Sequence, residues 1–387
     1  LKPNIKMKIL LALISVISIH ATELEEFQDS NLKFAADVYQ AISQINELNF
    51  LVCPLSAQII LSLATVGAKA NTAKQLSSCL HLPDDSKRIK SIFEKLSYNF
   101  DVKEPYQLSS ANKIFLNDKC DVKDEYKEVA VNTFKSGIES MNFADGEKVA
   151  MEINRWVESK TNNKIKDLVK GNDINTDILA LLVNALYFHG NWAYEFGDSM
   201  GYQDRFYVNE NETVLIDLMT QRNDFNYYNN KEVNAEFLEL PFVGNDVTMT
   251  FVLPKEKNGV SRLGKNISTV LSKQPLEKVD AIITIPKFKI ESVIEFKGVL
   301  ESLGVTDPFS KGANFDGISD VPLHIDNVIQ KTFIEINEKG ATAAAATEIT
   351  LMMDSLPNVL FTVNRPFIYF LKHRSNGIMF VGRYCKP

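Results

Sequence analysis

The sequence predicts an α+β fold in one large domain, and three observations predict it. Apolar residues recur at helical spacing through the first third of the chain, whereas from residue 178 onward they alternate or run on as in the strands of a large sheet. The 387 residues are 45% hydrophobic and 24% charged, enough to bury a sizeable core. No Pro/Gly/Ser-rich linker, internal repeat or low-complexity block beyond one alanine run divides them.

Met7-Lys8, the apolar run Ile9 to Ile19 and His20-Ala21 before acidic residues have the form of a secretory signal peptide cleaved after Ala21. Residues 1–21 are thus expected to be leader, and 22–387 the folded, secreted, extracellular domain. The run is too short to span a membrane. Leu32, Ala35, Val38, Tyr39, Ile42 and Ile45 predict a helix behind an Asp29-Ser30-Asn31 cap, and 55–68, 86–98, 123–134 and 147–160 read as helices too. Leu179 to Phe188 is nearly continuous apolar, Val247 to Leu253 alternates and Ala281 to Ile285 is β-branched, so each predicts a strand. Helices are expected between them at about 260–272 and 294–303, and 331–337 reads as a strand.

A net charge of −7 gives no reason to expect nucleic acid. HExxH, GxSxG, a Gly-rich phosphate loop and paired CxxC are absent, and His81, His189, His324 and His373 have no nucleophile setting. The residues therefore point to no enzyme, metal or cofactor. Cys53, Cys79, Cys120 and Cys385 read either as disulfide partners or as free buried thiols. Asn211-Glu212-Thr213 and Asn266-Ile267-Ser268 are glycosylation sequons given secretion. Lys87, Arg88, Lys90 and Lys95 on the 86–98 helix suggest a sulfated polysaccharide, but Asp84, Asp85 and Glu94 interrupt them and favour a solvated face.

Residues 338–357 pose the central question. Ala343 to Ala346 is the strongest helix-forming composition in the chain, yet it follows a strand and ends at Pro357. Read as a strand, the odd positions Ala341, Ala343, Ala345, Thr347, Ile349 and Leu351 are small or apolar, while Glu348 falls on the other face. Small side chains cost little to expose and little to pack, so an exposed loop and an inserted strand are both viable. On its own the segment reads equally as a helix.

From about residue 25 to 387 the chain resembles the serpin family, in a secreted, invertebrate-type form. The resemblance rests on Asn49-Phe-Leu-Val-Cys-Pro54-Leu-Ser56, Asn184-Ala-Leu-Tyr-Phe-His-Gly190-Asn-Trp192, Leu238-Glu-Leu-Pro-Phe242, Phe251-Val-Leu-Pro254 and Ile285-Pro-Lys-Phe288. Phe315-Asp-Gly-Ile-Ser319, Ile334-Glu-Ile-Asn-Glu-Lys-Gly340, Asn364-Arg-Pro-Phe367 and Phe380-Val-Gly-Arg383 follow in order. It implies about eight or nine helices around three β-sheets, with an exposed reactive-centre loop at about 340–360. It also implies a sheet-opening cluster of Cys53, Ser56, Asn184 and Gln330, in which cysteine and glutamine stand where many members have serine and histidine. Glutamine both donates and accepts, as a neutral histidine does.

The resemblance further implies a suicide-substrate inhibitor: a serine protease forms an acyl-enzyme in the loop, and the severed loop inserts as a new strand. Glu338, Gly340, Ala341, Ala343, Ala345 and Thr347 would form the hinge. Counting about sixteen residues on from Glu338 puts the reactive bond at Asp354–Ser355, counting back from Pro366 gives Ser355–Leu356, and Met352 and Met353 are further candidates. No Lys or Arg occurs between Ala341 and Asn364, so the expected target is chymotrypsin-, elastase- or cathepsin-like rather than trypsin-like. The expected state is a monomer that partners its protease covalently. A non-inhibitory carrier, storage or chaperone role on the same fold is the alternative.

Overall fold

The computed structural model describes residues 5–96, 101–102, 104–197, 201–339 and 356–387. The chain opens with α1 (Ile5–Ile45), β1 (Phe50–Val52), α2 (Pro54–Gly67), α3 (Ala70–Cys79) and α4 (Ser86–Lys95). Next come β2 (Asp101–Val102), β3 (Tyr106–Asn117), α5 (Asp124–Asn132), β4 (Gly137–Met141), α6 (Gly146–Lys160) and β5 (Ala180–Gly190). The middle runs β6 (Tyr202–Tyr207), β7 (Thr213–Asn230), β8 (Ala235–Pro241), β9 (Val247–Pro254), α7 (Val260–Lys265), α8 (Ile267–Leu271), β10 (Glu277–Pro286) and β11 (Phe288–Glu295). The chain closes with α9 (Phe296–Ser302), β12 (Asn327–Ile336), β13 (Val359–Thr362), β14 (Phe367–His373) and β15 (Gly377–Tyr384).

Among the described residues the strands form three sheets, two of which share β7. Its residues 213–218 pair with β6, 218–227 with β10, and 226–230 with β8. One sheet therefore runs β1-β15-β14-β9-β8-β7, and the other is β6, β7, β10 and the edge strand β13. The third has the order β11-β12-β5-β3-β2, with β4 beside β3. An 18-residue strand can serve two sheets because strands twist, and the twist turns its two ends to different neighbours.

Helix α2 is buried on nearly every side, the pattern of a core helix, and it packs against β15, β5 and β3. It ends at Gly67, where a Cβ would lie 2.3 Å from Cγ1 of Ile318. The Gly317 N–H donates to the Gly67 carbonyl at 3.0 Å, so the Phe315–Ser319 turn needs glycine at its point of contact.

Three element expectations are corrected. Asp29-Ser30-Asn31 does not cap a helix; α1 runs through it. Ser30 Oγ donates to the Leu80 carbonyl at 2.7 Å, and Asn31 accepts from the Ile378 N–H at 2.7 Å, so both groups are satisfied by other elements. The 86–98 helix stops at Lys95, with Leu96 extended at its end. The 260–272 helix breaks at Asn266, whose side chain donates back to the Arg262 carbonyl, leaving α7 and α8.

Two of the four basic residues of α4 are paired from outside, in line with the solvated face the sequence favours. Arg88 pairs with Glu26 of α1 at 2.7 Å and Lys95 pairs with Glu23, which argues further against a polyanion site. None of the four cysteines is disulfide-bonded. No helix among the described residues is long and apolar enough to cross a membrane.

Candidate functional site

The site is the seam between β5 and β12. These strands run parallel, with Leu181–Phe188 registered against Asn327–Ile334. Alternation sends even-numbered residues of both strands toward α2 and odd-numbered ones toward α6, so both faces are covered. On the α6 side Tyr187 and Phe333, directly opposite in register, bring their ring centroids to 5.6 Å. Ile153, Val157 and Ile165 pack with them in a second small core.

On the α2 side a row of three amides crosses the sheet. Asn112 of β3 is registered with Asn184 of β5, and Asn184 with Gln330 of β12. Gln330 Oε1 accepts from the Cys53 N–H at 2.7 Å, and its Nε2 donates to the Cys53 carbonyl at 2.9 Å and to Asn184 Oδ1 at 2.6 Å. Asn184 Nδ2 donates to Ser56 Oγ and to Asn112 Oδ1, while Ser56 Oγ donates to Asn112 Oδ1 at 3.0 Å. The structure thus brings together Cys53, Ser56, Asn184 and Gln330, and adds Asn112.

Cys53 takes part through its peptide rather than its thiol. The thiol is fully buried, which pushes its pKa up and leaves it a small apolar group. One row along, Ser292 Oγ of β11 accepts from the Leu51 N–H at 2.9 Å, and Thr332 Oγ1 donates to the Leu51 carbonyl at 2.8 Å. The 51–53 backbone is therefore gripped by β11 and β12. Within the row, Gln330 to Asn184 is the bond that crosses the seam.

Above the seam the chain continues from β12 through Asn337, Glu338 and Lys339; of the residues expected to form a hinge, Glu338 is described. The Trp192 indole N–H donates to the Asn337 carbonyl at 3.0 Å, and the Phe196 N–H donates to the Glu338 carbonyl at 2.9 Å. Trp192 is fixed in turn by stacking on Phe242, centroids 4.4 Å apart at 12°. Partial burial acts to raise the Glu338 carboxyl, but the hydrogen bond and charge of Lys287 outweigh it and leave it below the ordinary glutamate range. Gly340, Ala341, Ala343, Ala345, Thr347, Met352, Met353, Asp354 and Ser355 lie outside the described residues. The chain is described again from Leu356 and enters β13, parallel to β10.

The serpin family profile, described as Serpin (serine protease inhibitor), matches residues 29–387. The chain is a serpin. Human Serpin B4 is 31% identical to it over 94% of this chain and 100% of its own, and the Drosophila melanogaster serine protease inhibitor 42Dd is 32% identical over 91% and 95%. The crystal structure of Serpin48, a highly specific serpin of the insect Tenebrio molitor, superposes with a TM-score of 0.87 at 33% identity over 94% of this chain and 98% of its own. Serpins are protease inhibitors that act on target proteases and are not themselves enzymes, and this serpin has the fold of the group.

Sequence reasoning missed Asn112, Ser292 and Thr332, and gave Trp192 only as the end of a motif, without its contact to Asn337. Thr332 carried a signal, since it shares the parity of Gln330. Asn112 carried none, because its role depends on the register of β3 against β5.

Gln330→Leu keeps the side chain's approximate volume and deletes its three hydrogen bonds, leaving the Cys53 N–H, the Cys53 carbonyl and Asn184 Oδ1 buried without these partners. The Cys53 carbonyl keeps the Ala57 N–H at 3.2 Å, so at ~1–3 kcal/mol for each of the other two groups and ~1 kcal/mol for the lost carbonyl bond the loss is roughly 3–7 kcal/mol. With an unfolding entropy of ~0.8 kcal/mol/K for a chain of this size, the Tm of the intact serpin should fall by about 4–9 °C. Thermal denaturation followed by circular dichroism checks it, and an unchanged Tm counts against the row as a stabilising element.

Proposed function

We infer that this serpin is a secreted suicide-substrate inhibitor of serine-type proteases that prefer apolar residues, with an attacked bond between Met352 and Leu356. The observation that carries this reading is the parallel pairing of β5 with β12 beneath the hinge. A chain that leaves β12 and doubles back runs antiparallel to β12, and hence antiparallel to β5 as well. Insertion between them would replace one parallel ladder by two antiparallel ones, which are the more stable per residue. Residues 340–355 reach ~54 Å at ~3.4 Å per residue, more than the length of the β12 ladder. The intact fold would then be held by a barrier rather than by being the lowest state.

On this reading the protease nucleophile attacks the loop carbonyl, the peptide nitrogen leaves with a proton, and the acyl ester persists only if insertion outruns water. At typical turnover that requires insertion faster than roughly 10 per second. The inhibitor would act as a monomer, with glycans on Asn211 and Asn266, both exposed at turns or helix junctions. Family membership alone does not decide inhibition, because one fold hosts several roles.

Incubation with chymotrypsin and elastase tests the reading. An SDS-stable covalent complex, together with a released carboxy-terminal fragment whose mass fixes the bond, is the expected result. Cleavage within 340–356 by every protease of a panel, with no covalent complex, would overturn it in favour of a non-inhibitory role.

A further inference from the structure

Two of the most exposed large apolar side chains lie where the reactive loop re-enters the fold: Leu356, 87% exposed, and Leu360 of β13, 70% exposed. Leu360 is registered with Ile282 of β10, and Ile282 with Arg222 of β7, so the three side chains form one row across the outer face of that sheet. The neighbours on β10 and β13 point inward: Ala281, Ile283 and Phe361 are buried. The row is held rigidly, since β13 is hydrogen-bonded along β10. Its charge is neutralised in place, because Arg222 forms a bidentate pair with Asp280 at 3.0 and 2.7 Å.

We propose that this row, together with Leu356, is an accessory docking surface for an apolar rim of the protease that attacks the loop. The proposal rests on the reading of 352–356 as the attacked segment. Reach identifies the occupant. From the candidate bonds within 352–356 to Leu360 the chain spans four to eight residues, at most ~14–29 Å when extended. A protease domain of ~200 residues has a radius of gyration of ~16 Å. An enzyme seated on the bond therefore overhangs the row. Isolated exposed leucines need no explanation, but Leu360 beside a half-buried isoleucine on a rigid, charge-balanced face, with exposed Leu356 four residues before it in the chain, offers apolar area to whatever covers it. Charge complementarity points the same way, because a strongly acidic or basic rim finds no opposite charge left unpaired by Arg222 and Asp280. The surface thus selects among proteases that share one preference at the bond, and it does so through association rather than through the chemistry.

The test compares loop cleavage by chymotrypsin in the folded serpin and in a free peptide spanning residues 346–364. Leu360→Asp and Ile282→Gln should each lower kcat/KM for cleavage of the folded protein by about 5- to 20-fold, with the Tm of the intact protein within a degree or two of wild type. The peptide carrying Leu360→Asp should be cleaved as fast as its parent, and Ile282 lies outside the peptide altogether. Cleavage of both folded variants at the wild-type rate would overturn the proposal. Failure of the wild type to form a covalent complex would sink the trapping reading alone, because this readout is the rate of cleavage and not the fate of the acyl-enzyme.

Discussion

Cleavage of the reactive loop between Met352 and Leu356 should raise the Tm of this serpin by roughly 15 °C. The seam between β5 and β12 now holds eight registered parallel pairs, the Tyr187–Phe333 ring contact and the Gln330–Asn184 hydrogen bond. Inserting a strand gives these up and makes two antiparallel ladders in their place, a net gain on the order of ten to fifteen hydrogen bonds at ~1 kcal/mol each. Divided by an unfolding entropy of ~0.8 kcal/mol/K, this is a shift of about 13–19 °C. Differential scanning calorimetry of the intact and clipped forms measures it. A clipped protein that melts with the intact one would mean that the freed arm stays outside, and trapping would lose its driving force while membership of the family stood.

Ala343→Arg should convert the protein from an inhibitor into a substrate. An inserted strand meets α2 on one face of the sheet and α6 with residues 161–169 on the other, so an arginine on either face enters a covered environment. An unpaired buried charge costs several kcal/mol. Because 1.36 kcal/mol is tenfold in rate, a 3 kcal/mol rise in the insertion barrier slows insertion by ~150-fold, and deacylation wins. On a denaturing gel the covalent band should fade to under about a tenth of its wild-type intensity, with the cleaved product taking its place. A variant that still traps protease at one-to-one stoichiometry would show that position 343 is not buried by insertion.

Local patterns carried much of the fold. The nearly continuous apolar run 179–188, interrupted only by Asn184, marked β5 because that strand is buried on both faces, and apolar residues at helical spacing in 55–68 marked α2. The patterns failed where tertiary partners override them. Ser30 and Asn31 resemble a cap, yet they sit inside α1 because Leu80 and Ile378 satisfy their side chains. Strand β3 escaped notice because Ser110 and Asn112 take positions on the face toward α2 where an alternating strand would place apolar residues.

By itself the sequence determined most of the helices, several of the buried strands, the small side chains at 341–347 and the lack of a basic residue from Ala341 to Asn364, since each is a property of a short stretch. Only the tertiary structure decided that β5 and β12 lie side by side in parallel, that Gln330 grips the Cys53 peptide rather than its thiol, and that Asn112 completes the row. Those facts depend on the register between strands whose facing residues lie 72 and 146 positions apart, or on a side chain reaching another element's backbone. Period-two alternation says which face a residue takes but not which residue lies opposite it.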